Sequence, residues 1–276
     1  MDDAPSRAQA TYDAAADVFD DPALGFWDRF GRATVDRLAL KPGDSVLDAC
    51  AGSGASAIPA AVRVGPRGKV VAVDLADNLL ALARTKAARL GLNHIECRHG
   101  DVQELNYSPG AFDAVIIVFG VFFLPDPVRA TADLWRLTRP GGQMAVTTWG
   151  PRLFEPANSM FWDAVDNVRP DLTRAYNPWD SLTEPDAVRA LLTRAEVPAC
   201  TVEAVEGRHD LRSAEDFWTI VRGSGYRATH DALDEAGRDE VRAATLAAIT
   251  RQHITSIETN VIFAVATKTD DRASTK

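Results

Sequence analysis

Asp48-Ala49-Cys50-Ala51-Gly52-Ser53-Gly54 closes a short apolar run, Ser45 to Cys50, and opens a stretch of helix-forming residues, Ala55 to Val62. Gly52 and Gly54 permit a tight turn and let a ligand approach the backbone closely. A lone Gly-x-Gly fits many loops. This one follows a strand pattern, precedes a helix pattern and has an acid, Asp74, 20 residues beyond Gly54. Ala57 stands at the third position of Gly-x-Gly-x-x-Gly/Ala. That context fits a nucleotide-binding turn, with the acid placed for a ribose. A strand-to-helix turn without a ligand is the plain structural alternative.

Working outward, strand-length apolar runs alternate with helix-length patterns. Val70 to Asp74, Ala114 to Phe119 and Gln143 to Trp149 read as further strands, and their near-continuous apolar character implies a parallel sheet covered on both faces. Asp77 reads as the cap of a helix whose stripe is Leu79, Ala83, Ala87 and Leu90, stopped by Gly91. Asp126-Pro127 starts another, with Val128, Ala132 and Trp135 on one face, ending before Pro140-Gly141-Gly142. Thr183 to Asp186 and Ser213 to Asp216 match capping-box spacing, and Thr201 to Glu206 and Asn260 to Ala266 read as the last strands. The expectation is an α/β fold, a doubly wound, mostly parallel seven-stranded sheet with an N-terminal helical segment and a helical cover. We expect one domain over 1–276, with 1–40 as N-terminal cover, 41–150 as cofactor-binding core and 151–276 as substrate cover and closing strands. Ligands of such sheets sit beyond the carboxyl ends of the strands, so function is sought there.

Composition narrows the classes. The chain has 276 residues, 46% hydrophobic and 25% charged, enough to bury a substantial core. Its longest apolar run, Ala114 to Leu124, is 11 residues, against roughly 20 for a membrane span. Thirty Lys and Arg against 39 Asp and Glu give a net charge of −9, a poor footprint for nucleic acid or an anionic membrane. Cys50, Cys97 and Cys200 are scattered and fit neither a disulfide framework nor a metal site. The acidic start Met1-Asp2-Asp3 lacks the positive head and apolar stretch of a secretory signal, so we expect a cytoplasmic protein.

The choice of nucleotide turns on Asp48. A dinucleotide sets its anionic pyrophosphate at the helix N-terminus, where a carboxylate four residues before Gly52 is unhelpful. A ligand carrying an ammonium and a sulfonium welcomes that charge. No Gly-Lys-Ser/Thr follows, which excludes a P-loop. The balance tips from NAD towards S-adenosylmethionine, although Asp48 could also serve only the loop amides.

Val46-Leu47-Asp48 through Gly54 resembles the first motif of class I S-adenosylmethionine-dependent methyltransferases. Val73-Asp74-Leu75, Gly100-Asp101-Val102, Phe112-Asp113-Ala114 and Arg139 to Gly142 are similar to the later motifs, in order and spacing. Val118 to Pro127 resembles the subgroup that contains the ubiquinone and menaquinone biosynthesis methyltransferases. The resemblance covers 40–150 strongly and the Tyr12 region loosely.

The resemblance implies S-adenosylmethionine as cofactor and assigns roles. Ala51, Gly52 and Gly54 face its methionine part, with Asp48 supporting the ammonium end. Asp74 accepts from both ribose hydroxyls, Leu75 packs on the adenine, Asp101 takes the adenine amino proton and Val102 flanks the ring. Val118 and Phe119 border the methyl end, and Tyr12 closes over the methionine. Each has a plain alternative: helix cap for Asp74, turn residue for Asp101, core for Val118, Phe119 and Tyr12. No metal is expected.

Methyl transfer needs a base only where the accepting atom holds a weakly acidic proton. His209, Tyr226 and His230 are the weak candidates, and nothing chooses among them. Val118-Phe119-Gly120-Val121 replaces the D/N/S-P-P-aromatic run of amino-methylating nucleic-acid enzymes. Aromatic residues of the cover (Trp27, Phe122, Phe123, Phe154, Phe161, Trp162, Trp179, Trp218) suggest an apolar or aromatic small molecule as methyl acceptor at O, C or N. They equally suit a core between sheet and cover. Two competitors stand: a nicotinamide-dependent oxidoreductase and a non-catalytic S-adenosylmethionine-binding protein.

Overall fold

Apolar runs and their punctuation become strands and helices in the computed structural model, which describes residues 4–173, 177–198 and 200–269. The strands are β1 (Ser45–Ala49), β2 (Lys69–Asp74), β3 (Ile95–His99), β4 (Phe112–Val118) and β5 (Thr138–Trp149). β6 (Cys200–Val205), β7 (Arg208–Asp210), β8 (Ser256–Glu258) and β9 (Val261–Thr267) complete them. Seven form one sheet in the order β3-β2-β1-β4-β5-β9-β6, while β7 and β8 pair separately. Within the seven-stranded sheet all neighbours are parallel except β9, which runs against β5 and β6. The expected doubly wound, mostly parallel seven-stranded sheet is the one observed.

Period-two alternation puts Leu47, Ala49, Val71 and Val73 into one core and Val46, Val70 and Ala72 into the core on the opposite face. The second core is closed by α3 (Ala57–Val64), through Ala57, Ala60, Ala61 and Val64. The larger one takes in the N-terminal helices α1 (Ala4–Ala15) and α2 (Phe26–Asp36), then α4 (Asp77–Arg89) and α5 (Pro127–Leu137). The cover adds α6 (Ala157–Val168), α7 (Pro185–Arg194), α8 (Ala214–Arg222), α9 (Arg227–Ala232) and α10 (Glu235–Arg251). Residues from the N-terminal segment, sheet and cover, such as Phe26, Leu47, Phe161 and Phe217, share that core.

Asp126 caps α5 as expected, accepting from the Arg129 amide at 3.0 Å. Other local readings need correction. Asp77 is the first residue of α4, not its cap; Ala76 holds that place, its amide bonded to Asp74 Oδ1 at 2.8 Å. Leu90 lies just past the last residue of α4, at its C-cap, and is exposed. Thr183 is no capping-box residue, because Pro185 starts α7 and Glu184 precedes it. Ser213 does precede α8, yet Asp216 turns to the Arg212 amide at 2.8 Å and to its guanidinium. Strand β5 begins at Thr138 rather than Gln143, since Gly141 and Gly142 already bond to Lys268 at 2.7 and 2.8 Å.

Candidate functional site

Beyond the carboxyl ends of β1, β2 and β4, where the sheet reverses its winding, lies a cavity of about 970 Å³ including its open mouth. The first wall is the glycine turn. Cys50 leaves β1 with φ 60°, the left-handed region rarely taken by a side-chain-bearing residue, and Gly52 follows at φ 51°. A Cβ on Gly52 would meet only Leu79 Cδ1, at 3.7 Å, so the glycine serves the turn and the ligand face. Gly54 differs. At φ 85° its added Cβ would press on Ile58 and Ala83 at 3.1 and 3.2 Å, which makes it a packing glycine outside the cavity lining.

The second wall comes from β4. Phe119, at φ 54°, stacks on Trp149 with centroids 3.9 Å apart, and Gly120 lies so close to Cys50 that a Cβ would come within 2.4 Å of Cys50 Cβ. Two strand ends are thus locked together by strained backbone, a pattern that gathers at functional sites.

Asp74 ends β2 at the rim. Its Oδ2 accepts from the Gly52 amide and its Oδ1 from the Ala76 amide, both at 2.8 Å. Burial pushes its carboxyl up, opposed by those amide donors. A carboxylate offers about four acceptor sites, so these amides leave capacity for a further donor, and Asp74 lines the cavity. Asp101 caps a single turn, Val102–Glu104, through the Gln103 amide at 2.8 Å, and also lines the cavity. Both its capping and its ligand readings are therefore compatible with one geometry.

Asp48 lies beneath the turn and off the cavity wall. Fully buried, it accepts from Ser56 Oγ at 2.7 Å through Oδ2, while Oδ1 has no partner among the described residues. Burial, against the pull of Ser56, pushes this carboxyl up to about 7. Helix α1 forms the roof. Tyr12, half-buried, meets Phe19 and Phe123 edge-on at 6.4 and 5.6 Å.

Nine of the expected cofactor residues therefore meet on one cavity: Tyr12, Ala51, Gly52, Asp74, Leu75, Asp101, Val102, Val118 and Phe119. Sequence reasoning missed Pro5, Ala8, Gln9 and Leu124 in the lining, while Trp27, read there as a cover aromatic, joins it. The spacing of Pro5, Ala8 and Tyr12 on one face of α1 is the signal that was available.

The three base candidates do not converge. His209 stands edge-on to Phe26 at 5.2 Å, and burial lowers its pKa. His230 bonds Asp231 at 2.7 Å beside Trp218, and burial again lowers its pKa. Neither lines the large cavity or the smaller one beside it. Tyr226 lines a second, smaller cavity; its hydroxyl donates to Asn158 Oδ1 at 2.7 Å, and burial drives the phenol far above its ordinary range. Among the described residues no group of three or more His, Cys, Asp or Glu is placed to hold a metal. No helix there is long and apolar enough to cross a membrane.

A glycine turn at the switch point, an acid closing the second strand and a roofing helix define the Rossmann-like methyltransferase class. The chain belongs to the ubiE/COQ5 methyltransferase family, which matches residues 5–174 and bears out the resemblance read from the motifs. It is 36% identical over 111 residues to a demethylmenaquinone methyltransferase of Oceanobacillus iheyensis, covering 40% of this chain and 47% of that one. The chain thus spans about half the length of the curated relatives it matches. Its fold is shared with phosphoethanolamine N-methyltransferase 2 of Haemonchus contortus, solved with phosphomonomethylethanolamine and S-adenosylhomocysteine. There the TM-score is 0.60 at 17% identity, over 98% of this chain and 61% of that one. A methyltransferase-fold protein from an antibiotic biosynthesis pathway of Anabaena variabilis gives 0.59 at 16% identity, over 86% and 96%.

Proposed function

We propose that this protein is an S-adenosylmethionine-dependent methyltransferase acting at O, C or N of a small, apolar or aromatic molecule. The carrying observation is the single cavity that joins the glycine turn, Asp74, Asp101 and the α1 roof. The residues suit the cofactor. Asp74 retains acceptor capacity for a ribose, Leu75 and Val102 flank a planar ring, and Asp101 offers a carboxylate at its edge. The partnerless Asp48 Oδ1 supplies a buried acceptor behind the turn, in keeping with an ammonium on its far side. The plain core reading of Val118, Phe119 and Tyr12 accounts for packing and leaves their place on the cavity unexplained.

When bound, the cofactor supplies a methyl group on a positively charged sulfur, already activated for displacement by the acceptor atom. The chain's work is then to hold the acceptor in line and to exclude water. Trp27, Phe119 and Phe123 give the cavity an apolar, ring-rich side. With His209 and His230 away from it and the Tyr226 phenol so high, we assign no general base. A single domain, a cytoplasmic setting with three free thiols and no nucleic-acid partner complete the reading, the last supported by the net charge of −9.

Calorimetric titration with S-adenosylmethionine, S-adenosylhomocysteine and NAD tests it. Micromolar binding of the first two and none of NAD is expected. NAD binding alone would overturn the reading in favour of an oxidoreductase. Cofactor binding without turnover across phenols, quinols and amines would leave a binding protein.

A further inference from the structure

Lys86, in the last turn of α4, joins that helix to three segments that lie apart in sequence. Its ammonium donates to Ser53 Oγ at 3.2 Å and pairs with Asp20 Oδ1 at 2.6 Å, with Asp28 Oδ1 3.9 Å away. An ammonium has three donors and no acceptor, so one group can serve several oxygens. Ser53 belongs to the glycine turn, is 2% exposed and lines the cofactor cavity. Asp20 sits in the link between α1 and α2, and Asp28 in the first turn of α2. Lys86, Asp20 and Asp28 themselves stay out of the cavity lining.

The acids of that link face different ways. Asp17 pairs with Arg222 and Arg227 of the cover at 2.6 and 2.9 Å, Asp21 with Arg212 at 3.4 Å, and Asp20 with Lys86. Of these pairs, the one with Lys86 continues to the turn. A backbone contact runs alongside it. Gly31 of α2 approaches Ala55 so closely that an added Cβ would lie 2.3 Å from the Ala55 carbonyl carbon, and Ala55 also lines the cavity. The N-terminal segment therefore meets the turn at Ser53 through a side chain and at Ala55 through backbone. The turn needs such support. Cys50 is held at φ 60°, a region that persists only where the surroundings fix it, and Gly52 and Gly54 regain wide conformational freedom when released.

We propose that Lys86 is a positioning residue for the cofactor turn: it fastens Ser53 to Asp20, so that the turn and the N-terminal segment hold or loosen together. Cofactor affinity then depends on residues outside the lining, because a loosened turn must be ordered again when the ligand binds. Naming the ligand rests on the methyltransferase reading; the fastening does not. The Lys86 side chain is 23% exposed and that of Asp20 44%, so solvent screens part of the pair. Its weight falls on local order in the turn more than on global stability.

Calorimetric titration with S-adenosylhomocysteine and hydrogen exchange of the unliganded full chain test it. Lys86→Met keeps an apolar stem and removes the charge; affinity should fall about five- to tenfold, within the usual range for coupling between two sites. Lys86→Arg, which keeps the cation, should restore most of the loss. Asp20→Asn should weaken binding less, and the two changes together should cost no more than Lys86→Met alone, because both act on one contact. The Ala51, Gly52 and Gly54 amides, bonded to Val73, Asp74 and Ala51, should exchange faster in Lys86→Met while β4 and β5 exchange as in wild type. Should Lys86→Met fail to fold, Asp20→Asn carries both measurements. Affinity within twofold of wild type, unchanged exchange at the turn, or additive losses in the double variant overturns the proposal. So does faster exchange spread evenly over the sheet, which would make Lys86 a contributor to global stability only. If wild type binds neither S-adenosylmethionine nor its product, the methyltransferase reading falls and the exchange result alone decides the fastening.

Discussion

Among the places where the backbone is bent against its preference, two next to the cavities are held differently. At the cofactor turn, Cys50 and Phe119 carry φ of 60° and 54°, next to a network of near neighbours in sequence. Ser56 reaches Asp48 eight residues away and Gly52 reaches Asp74 over 22. Ahead of the cover, Arg152 and Phe154 each carry φ of 62°. Their anchor is Glu258, which takes the Arg152 guanidinium at 2.8 Å through its carboxylate and the Phe154 amide at 2.8 Å through its carbonyl, more than a hundred residues on. The cover is tied by rings and by such distant bonds, including Arg227 to Asp17 across a separation of 210. One region is specified by short motifs, the other by tertiary packing, so substitutions in them should separate ligand affinity from stability.

The largest separation should come from Gly52→Val. A β-branched residue at φ 51° is strained, and its side chain would fill the ligand face while touching only Leu79. Calorimetry should show S-adenosylhomocysteine binding lost by more than about a hundredfold. The folded state should persist by circular dichroism. Near-normal binding would break the comparison at its strongest point.

Phe161→Ala probes the opposite region. Phe161 is fully buried in α6 and stacks on Tyr226 at 5.4 Å, so truncation should cost about 3–5 kcal/mol of stability in urea unfolding. The protein that remains folded should bind S-adenosylhomocysteine within twofold of wild type. A large affinity loss would mean that the cover shapes the cofactor cavity directly.

These contrasts explain what could be read in advance. The glycine turn, Asp74 and Asp101 were legible because their partners lie within a few dozen residues and their backbone needs are local. Asp77 misled because Asp74 Oδ1 already takes the Ala76 amide, leaving Asp77 inside the first turn and paired with Arg84 at 3.0 Å. Thr183 misled because Pro185 starts its helix one residue later, whereas Ser213 holds the expected N-cap and lacks only the reciprocal bonds, Asp216 being taken by Arg212. The aromatic residues of the cover were visible as a composition, but which of them face a cavity depends on how segments distant in sequence, around Trp27, Trp149, Trp179 and Tyr226, pack together. No spacing rule encodes that. His209 and His230 carried no positional signal at all, and the fold sets them apart from both cavities.

Asp74→Ala ranks next. On the proposed ribose role it would remove an acceptor from two hydroxyls and should weaken S-adenosylhomocysteine by about 2–4 kcal/mol. It also orphans the Gly52 and Ala76 amides, so a modest fall in stability should accompany it. Asp74→Asn keeps one acceptor oxygen and should recover part of the affinity. Unchanged affinity in both variants would remove the ribose role.

The smallest effect is read from pH. Burial raises the Asp48 carboxyl from an unfolded value of 3.8 to about 7 in the folded chain. Between those values the folded state keeps a proton that the unfolded state has released. This group's contribution to stability is therefore full below about pH 4, falls as pH rises through the window and is lost above about 7. One proton limits the slope to about a tenfold change in the folding equilibrium per pH unit. Asp48→Asn, which can still accept from Ser56, should remove that slope in urea midpoints measured from pH 4.5 to 7.5. On the proposed role of Asp48, ligand binding should run the other way, because an ammonium beyond the turn would stabilise the ionised carboxylate. S-adenosylhomocysteine affinity should rise between pH 6 and 8 in wild type and stay flat in Asp48→Asn. A stability slope without an affinity slope would make Asp48 a structural partner of Ser56 and nothing more, moving it from the cofactor side of the comparison to the packing side.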